Sequence, residues 1–164
     1  MKARAKIPVI GNGGIHSKHC AWTMLRETRV DALMIARAAI GNPWIFSDIR
    51  NALLADAAPP PYNPTGIRPR RELAEIHRIL EEHLEAELAF LTTLKKKYGL
   101  PRDDGAVEEN LVTTFRCHLF RYLHGLKGAS YLRRRLHELR TLPEIREAVN
   151  ACLEREAAYR ASAP

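Results

Sequence analysis

Five of the ten prolines crowd into one stretch, APPPYNPTGIRP, at Pro59, Pro60, Pro61, Pro64 and Pro69. Proline fixes φ and has no backbone donor, so neither a helix interior nor a central strand can run through this stretch. A chain with this interruption divides into two halves joined by a stiff linker. The expected organisation is a first part over 1–57, a linker over 58–70 and a second part over 71–160.

The first part reads β-α-β-α. Ile7-Pro8-Val9-Ile10 is a short apolar run, with Pro8 near a strand start or at an edge. Gly11-Asn12-Gly13-Gly14 then makes a tight turn. Ser17 suits the N-cap of a helix over Lys18 to Thr28 with Ala21, Met24 and Leu25 on one stripe. Asp31 leads into a second apolar run, Ala32 to Ala36. Asn42-Pro43 reads as an N-cap followed by proline at the first helical position, with Trp44, Ile45, Phe46 and Ile49 on the apolar side. Neither apolar run alternates, which is the mark of parallel strands covered on both faces.

The second part is helical. Leu73, Ile76, Leu80, Leu84, Leu88 and Leu91 step by three and four, and so do Val107, Leu111, Phe115, Leu119, Tyr122 and Leu126. Gly125 and Gly128 interrupt the second helix. Leu132, Leu136 and Leu139 mark a third, and Thr141-x-x-Glu144 is a capping box that opens a fourth through Ile145, Val149 and Leu153. Four amphipathic helices on short turns predict a small bundle-like domain. The fold class expected is a mostly helical chain: an α/β piece followed by an all-α four-helix bundle-like domain.

Composition narrows the function classes. With 46% hydrophobic and 27% charged residues, the chain is neither disordered nor fibrous. No apolar run reaches the ~18–20 residues of a membrane span, and the start MKARAKIPVIG lacks a signal peptide's apolar region. Cys20, Cys117 and Cys152 form an odd, scattered set, so the expectation is a reduced, cytoplasmic protein. The formal net charge of +7 is concentrated: between 116 and 140 seven basic side chains stand against Glu138 alone. Such a patch faces a polyanion or is a solvated helix face.

The turn after the first strand is the sharpest local feature. Glycines there let backbone N–H groups converge on an anion, and Ala36-Arg37 places a small residue and a cation after the second strand. Two neighbouring parallel strands ending this way match the phosphate site after strands seven and eight of a (β/α)₈ barrel. Two ordinary βα turns with a surface arginine would look the same. Neither the G-x-G-x-x-G fingerprint nor a P-loop lysine is present. His16, His19 and Cys20 sit close together but complete no metal-ligand set. His77 and His83 face different ways, and Glu81, Glu82, Glu85 and Glu87 read as a solvated face. Trp22, Trp44 and Phe46 read as packing.

The strings IPVIGNGGI and DALMIARAAIGNPWIF resemble the last two βα units of bacterial tRNA-dihydrouridine synthases of the B type. In that family an N-G-D turn and a G-R pair grip the FMN phosphate. The resemblance assigns cofactor binding to Asn12, Gly13, Gly14, Ala36 and Arg37, with Gly14 replacing aspartate and Ala36 replacing glycine. TTFRCHLFRYLHGLKGASYLRRRL is similar to the family's C-terminal helical segment, where an R-K-H motif precedes a G-x-x-G-A turn. Arg116 and His118 match, Cys117 replaces the lysine, and Arg133 follows. The resemblance implies tRNA binding through Arg116, His118, Arg121, Arg133 and Arg134. Helix geometry separates the first two: at ~100° per residue they flank opposite sides of the Phe115 stripe and cannot share one phosphate. His118 is equally read as a packed boundary residue.

The same resemblance implies an enzyme in which FMN, reduced by NADPH, delivers hydride to uracil and a loop cysteine from the barrel's first half protonates it. A complete barrel takes ~250 residues, and two of its eight strands are legible here. None of the three cysteines matches the catalytic position, so no catalytic residue is assigned. The expectation is a C-terminal portion, inactive alone, with tRNA as partner, a missing N-terminal barrel portion as another, and no metal or membrane. A stand-alone RNA-binding module and a different FMN-phosphate barrel with an unrelated helical tail are the competing readings.

Overall fold

The computed structural model describes residues 2–55, 60–62, 70–98 and 104–162. They fall into two compact units, Met1–Pro69 and Arg70–Pro164, the second wholly helical and the first built on a two-stranded parallel sheet. Apart from 60–62 and 70, the linker expected over 58–70 lies outside the described residues.

In the first unit β1 (Ile10–Asn12) pairs in parallel with β2 (Ala32–Met34), Gly11 opposite Leu33. The expectation of a first strand over Ile7 to Ile10 is corrected. Pro8 has no amide, and the Val9 amide donates to the Asp31 carboxylate (2.6 Å) instead of a ladder. Lys2 also pairs with that carboxylate, and these two donors hold its pKa below the ordinary carboxylate value. Gly11 and Asn12 thus belong to the strand, not to the turn. Gly11 is where it is because α1 (Lys18–Thr28) and Val30 just beyond it lie on it: a Cβ there would stand 2.7 Å from Met24 Sδ and 2.9 Å from Val30 Cγ2. The second strand stops at Met34, short of the expected Ala36, and Arg37–Ala39 form a 3-10 turn.

The core of this unit gathers Ile15, Ala21, Ile45 and Ile49, with Met24, Leu33 and Leu53 packed around it. Ser17 caps α1 as expected, its Oγ accepting from the Cys20 amide (3.2 Å). Pro43 takes helical dihedrals ahead of α2 (Trp44–Leu54), while the Asn42 carboxamide donates to the Ala38 carbonyl (3.2 Å). Ile45 and Ile49 are buried, but Phe46, expected on the apolar side, is exposed. Among the described residues the sheet is covered on one face only: Gly11 and Leu33 turn towards the helices, whereas Ile10 and Met34 are 62% and 53% exposed.

The second unit comprises α3 (Leu73–Tyr98), α4 (Asp104–Tyr122), α5 (Ala129–Arg135) and α6 (Leu142–Ser162). The α3 stripe buries Ile76, Leu80 and Leu84, and α4 buries Leu111, Val112, Phe115 and Leu119 against it. α6 closes the core with Ile145, Val149, Cys152 and Leu153 and is tied to α3 by Arg146 Nε donating to Glu81 (3.0 Å). The capping box forms: the Glu144 carboxylate accepts from the Arg140 and Thr141 amides, and Thr141 Oγ1 accepts from the Glu144 amide. The third helix is shorter than its leucines suggest. It ends at Arg135, leaving Leu139 in the connection to α6.

Candidate functional site

The parallel register sets Asn12 beside Met34, so the segments that follow both strands leave from one edge of the sheet. Gly13 (φ 113°) and Gly14 (φ 65°) turn the chain there in the left-handed region that favours glycine. A Cβ on either would meet nothing within 4 Å, so the turn backbone stands open. Among the described residues neither amide donates to a loop or turn acceptor; the Gly14 carbonyl accepts from His16 Nδ1 (2.8 Å). Asn12 Nδ2 lies 3.7 Å from Met34 Sδ, spanning the two strand ends. Beyond β2, Ala36 and Arg37 are exposed, and among the described residues the Arg37 side chain makes no ion pair. Two open amides and an uncommitted guanidinium on one edge offer an anion both hydrogen bonds and charge.

The cluster of His16, His19 and Cys20 is used locally. Cys20 Sγ lies 3.6 Å from His16 Nε2 and accepts from Ser17 Oγ (3.3 Å), while His19 Nδ1 donates to the Pro60 carbonyl (2.6 Å) and packs edge-on against Tyr62. Among the described residues no three His, Cys, Asp or Glu side chains are placed to hold a metal.

In the helical unit Arg116 and His118 part as the helix angle requires. Arg116 is half-buried and its Nη2 donates to the Leu139 carbonyl (2.6 Å), while its Nε is buried without a partner among the described residues. On the same helix Glu108 Oε1 accepts from the Leu142 amide (2.7 Å). Two α4 side chains of opposite charge therefore hold the α6 side of the α5–α6 corner, at Leu139 and Leu142. His118 instead faces α3: its ring meets His83 edge-on (4.7 Å) and stacks on Phe115 (5.8 Å), with its Nδ1 buried and without a partner among the described residues. His83 Nδ1 lies 3.1 Å from the Tyr122 hydroxyl and its Nε2 4.0 Å from Glu87. Burial, then the neighbouring His118, hold His83 below its ordinary pKa against the opposing pull of Glu87. Burial pushes Tyr122 up to about 12.

Arg121, Arg133 and Arg134 are exposed, and Arg133 lies over the Phe120 ring (4.8 Å). Four features escaped the sequence reading. Arg155 lies over Tyr131 (5.1 Å), and Lys127 lies over Tyr159 (4.6 Å). Arg135 is committed to Glu138 and Tyr131, which hold its pKa above the ordinary value. Glu156, buried on α6, pairs with Arg160 (2.8 Å) and Arg70 (3.6 Å) and accepts from the Lys127 amide (2.8 Å). The i,i+4 spacing of Glu156 and Arg160 was the available signal for that network; aromatic–cation pairs between helices leave none in the sequence.

Comparison with known proteins places this chain in a family. The model of the family described as "Dihydrouridine synthase (Dus)" matches residues 1–158. The chain is 42% identical over 102 residues to tRNA-dihydrouridine synthase B of Xanthomonas campestris pv. campestris, covering 62% of this chain and 26% of that protein. It is 32% identical over 139 residues to a probable tRNA-dihydrouridine synthase of Mycobacterium tuberculosis (85% and 30%). With tRNA-dihydrouridine synthase B of Pseudomonas aeruginosa it shares 37% over 140 residues (85% and 35%). The matched chain thus spans between about a quarter and a third of these relatives' length. A family match running through both units, over the glycine turn, Arg37 and the arginine-rich α5 alike, leads to one conclusion: the chain belongs to the dihydrouridine synthase family.

Proposed function

We propose that this chain carries two working parts of a tRNA-dihydrouridine synthase: the phosphate end of an FMN site and a helical unit that holds tRNA. One observation carries the reading: the Gly13–Gly14 turn and Ala36-Arg37 leave the same edge of two paired parallel strands. The residues fit a phosphate. The Gly13 and Gly14 amides are open and undonated, and Arg37 supplies a cation without a carboxylate partner among the described residues. Asn12 holds the strand ends together through Met34, and Ala36 contributes its exposed backbone. When bound, FMN supplies hydride to the uracil ring, with NADPH as reductant; the protein orients it by gripping its phosphate.

The first unit is read as the last two βα units of a (β/α)₈ barrel, over 1–57. The exposed Ile10 and Met34 and the unpaired outer edges of both strands among the described residues support this, because such a surface suits further strands. Cys20 lies in α1, Cys117 is exposed on α4 and Cys152 is buried, so none is offered as the catalytic acid. The chain alone is inactive in this reading. The helical unit, over 71–160, is read as the bundle-like domain that contacts tRNA through Arg121, Arg133 and Arg134. Arg116 and His118 shape the surface beneath them. A tRNA partner implies a cytoplasmic setting.

Filter binding of unmodified tRNA across a salt series tests the RNA half. Each phosphate contacted contributes a log–log slope of about −0.7 to −0.9, so Arg133→Ala and Arg134→Ala should each flatten it by about 1. Glu82→Gln, on α3, should leave it unchanged. A parental slope in both arginine variants would reduce the patch to a solvated face. Dihydrouridine formed by the chain alone with FMN and NADPH would overturn the inactive reading.

A further inference from the structure

A cleft of about 290 Å³ opens between α5 and α6. Its floor is apolar, with Leu132, Ala148, Ala151 and Cys152, and one wall is the half-exposed Tyr131 ring with the Arg155 guanidinium lying over it. Most polar groups around it are already engaged. Arg135 is paired with Glu138 and the Tyr131 hydroxyl, and Glu144 accepts from the Arg140 and Thr141 amides. Two charges are left over. Among the described residues Arg155 makes no ion pair and Glu147 has no partner, and both line the cleft.

A slot with an apolar floor, a guanidinium that lies on an aromatic ring without an ion pair, and a carboxylate without a partner among the described residues together meet the needs of a nucleotide. A base enters the slot and stacks on the outer face of the Arg155 guanidinium, its phosphate meets the N–H groups at the edge of that guanidinium, and a donor edge meets the Glu147 carboxylate. We infer that this cleft is a pocket for a single unpaired nucleotide of the bound RNA, with guanine preferred. Guanine offers two adjacent N–H donors to the two oxygens of Glu147, whereas uracil offers one. The inference rests on the RNA-holding reading above but adds a site separate from the Arg133–Arg134 surface.

The experiment titrates the full chain with guanosine 5′-monophosphate and with uridine 5′-monophosphate, followed by NMR of the amide and methyl signals. The expected result is saturable shifts at Leu132, Ala148 and Ala151, with the guanosine nucleotide binding more tightly. Arg155→Ala should weaken both nucleotides about tenfold, the loss of one charge-assisted, stacked contact. Glu147→Gln should bring the two nucleotides to equal affinity, and it changes an exposed rim residue that holds no part of the core. Absent shifts at these residues, or unchanged affinities in both variants, overturn the pocket. If tRNA binding nonetheless retains its dependence on Arg133 and Arg134, the RNA-holding reading stands and only the pocket fails. Loss of that dependence with the nucleotide shifts intact has the opposite meaning.

Discussion

Replacing Glu156 by Gln should cost the helical unit about 3 kcal/mol, which follows from what the carboxylate holds. Its side chain is 7% exposed, and it accepts from Arg160 Nε at 2.8 Å and from the Lys127 amide at 2.8 Å, with Arg70 at 3.6 Å. Glutamine's carbonyl can keep the Lys127 amide, so that bond is a small part of the loss. The charge-assisted bond to Arg160 is worth about 1.5–3 kcal/mol, and a guanidinium whose Nη2 is already buried without a partner among the described residues loses its counter-charge. For a domain of this size each kcal/mol lowers Tm by roughly 4–8 °C, so a fall of about 12–24 °C is expected. Circular dichroism at the helical minimum, read in urea and in heat, measures it, with Glu154→Gln on the exposed face of α6 as the control. The network also fixes a pH signature. Burial pushes the Glu156 carboxyl up, but Arg160, the Lys127 amide and Arg70 outweigh it and leave the group below its ordinary value. Its contribution is complete above the unfolded carboxylate range and is lost as pH falls through the folded value. Glu156→Gln should remove that part of the acid lability. If both glutamine variants melt alike, or if Glu156→Gln keeps the parental acid profile, the Glu156 charge does not stabilise the helical unit through Arg160.

Two further outcomes are expected. His83 is held below its ordinary pKa, so below about pH 6.5 the unfolded chain binds the proton first and stability falls as pH falls, by at most about 1.4 kcal/mol per pH unit; urea melts at pH 7.5 and 5.5 should show it, and His83→Gln should lessen it. Gly11→Ala should destabilise the first unit by about 1–3 kcal/mol, because the new methyl meets Met24 and Val30. Amide exchange at Gly11 and Leu33 would report that loss, and unaltered protection there would contradict the packing described.

Elements whose signals are local were legible in the sequence. Ser17 and the Thr141–Glu144 box cap their helices through bonds spanning three residues, and the Ile76–Leu84 stripe is set by the helical repeat alone. What escaped depended on partners far away in the chain. The first strand shifted because Asp31, more than twenty residues on, takes the Val9 amide. Phe46 sits on the expected stripe, yet the buried positions of α2 are Ile45 and Ile49, set by where α1 lies. On the RNA side, 100° of helix rotation was enough to separate Arg116 from His118, but not to show that Leu139 was waiting for the first and His83 for the second. The two glycines were legible as a turn, but their openness on the same edge as Arg37 required the strand register.

The corner between α5 and α6 is tied to α4 by Glu108 at the Leu142 amide and by Arg116 at the Leu139 carbonyl. Local fraying of a corner normally needs no help from the rest of a fold, and such segments exchange their amide protons early. Here a fluctuation that frees Leu142 must first break a bond to a helix whose Leu111–Phe115–Leu119 stripe is fully buried. The corner is therefore placed in the same cooperative unit as α4, and its opening has to wait for that helix. α5 is short and carries three consecutive arginines, of which only Arg135 has a carboxylate partner among the described residues, so its excess of like charge favours spreading. A seven-residue helix cannot resist that on its own hydrogen bonds. The ties transfer the burden to the long helix, so a strongly charged surface is kept in one arrangement by side chains whose polar groups are spent on the corner.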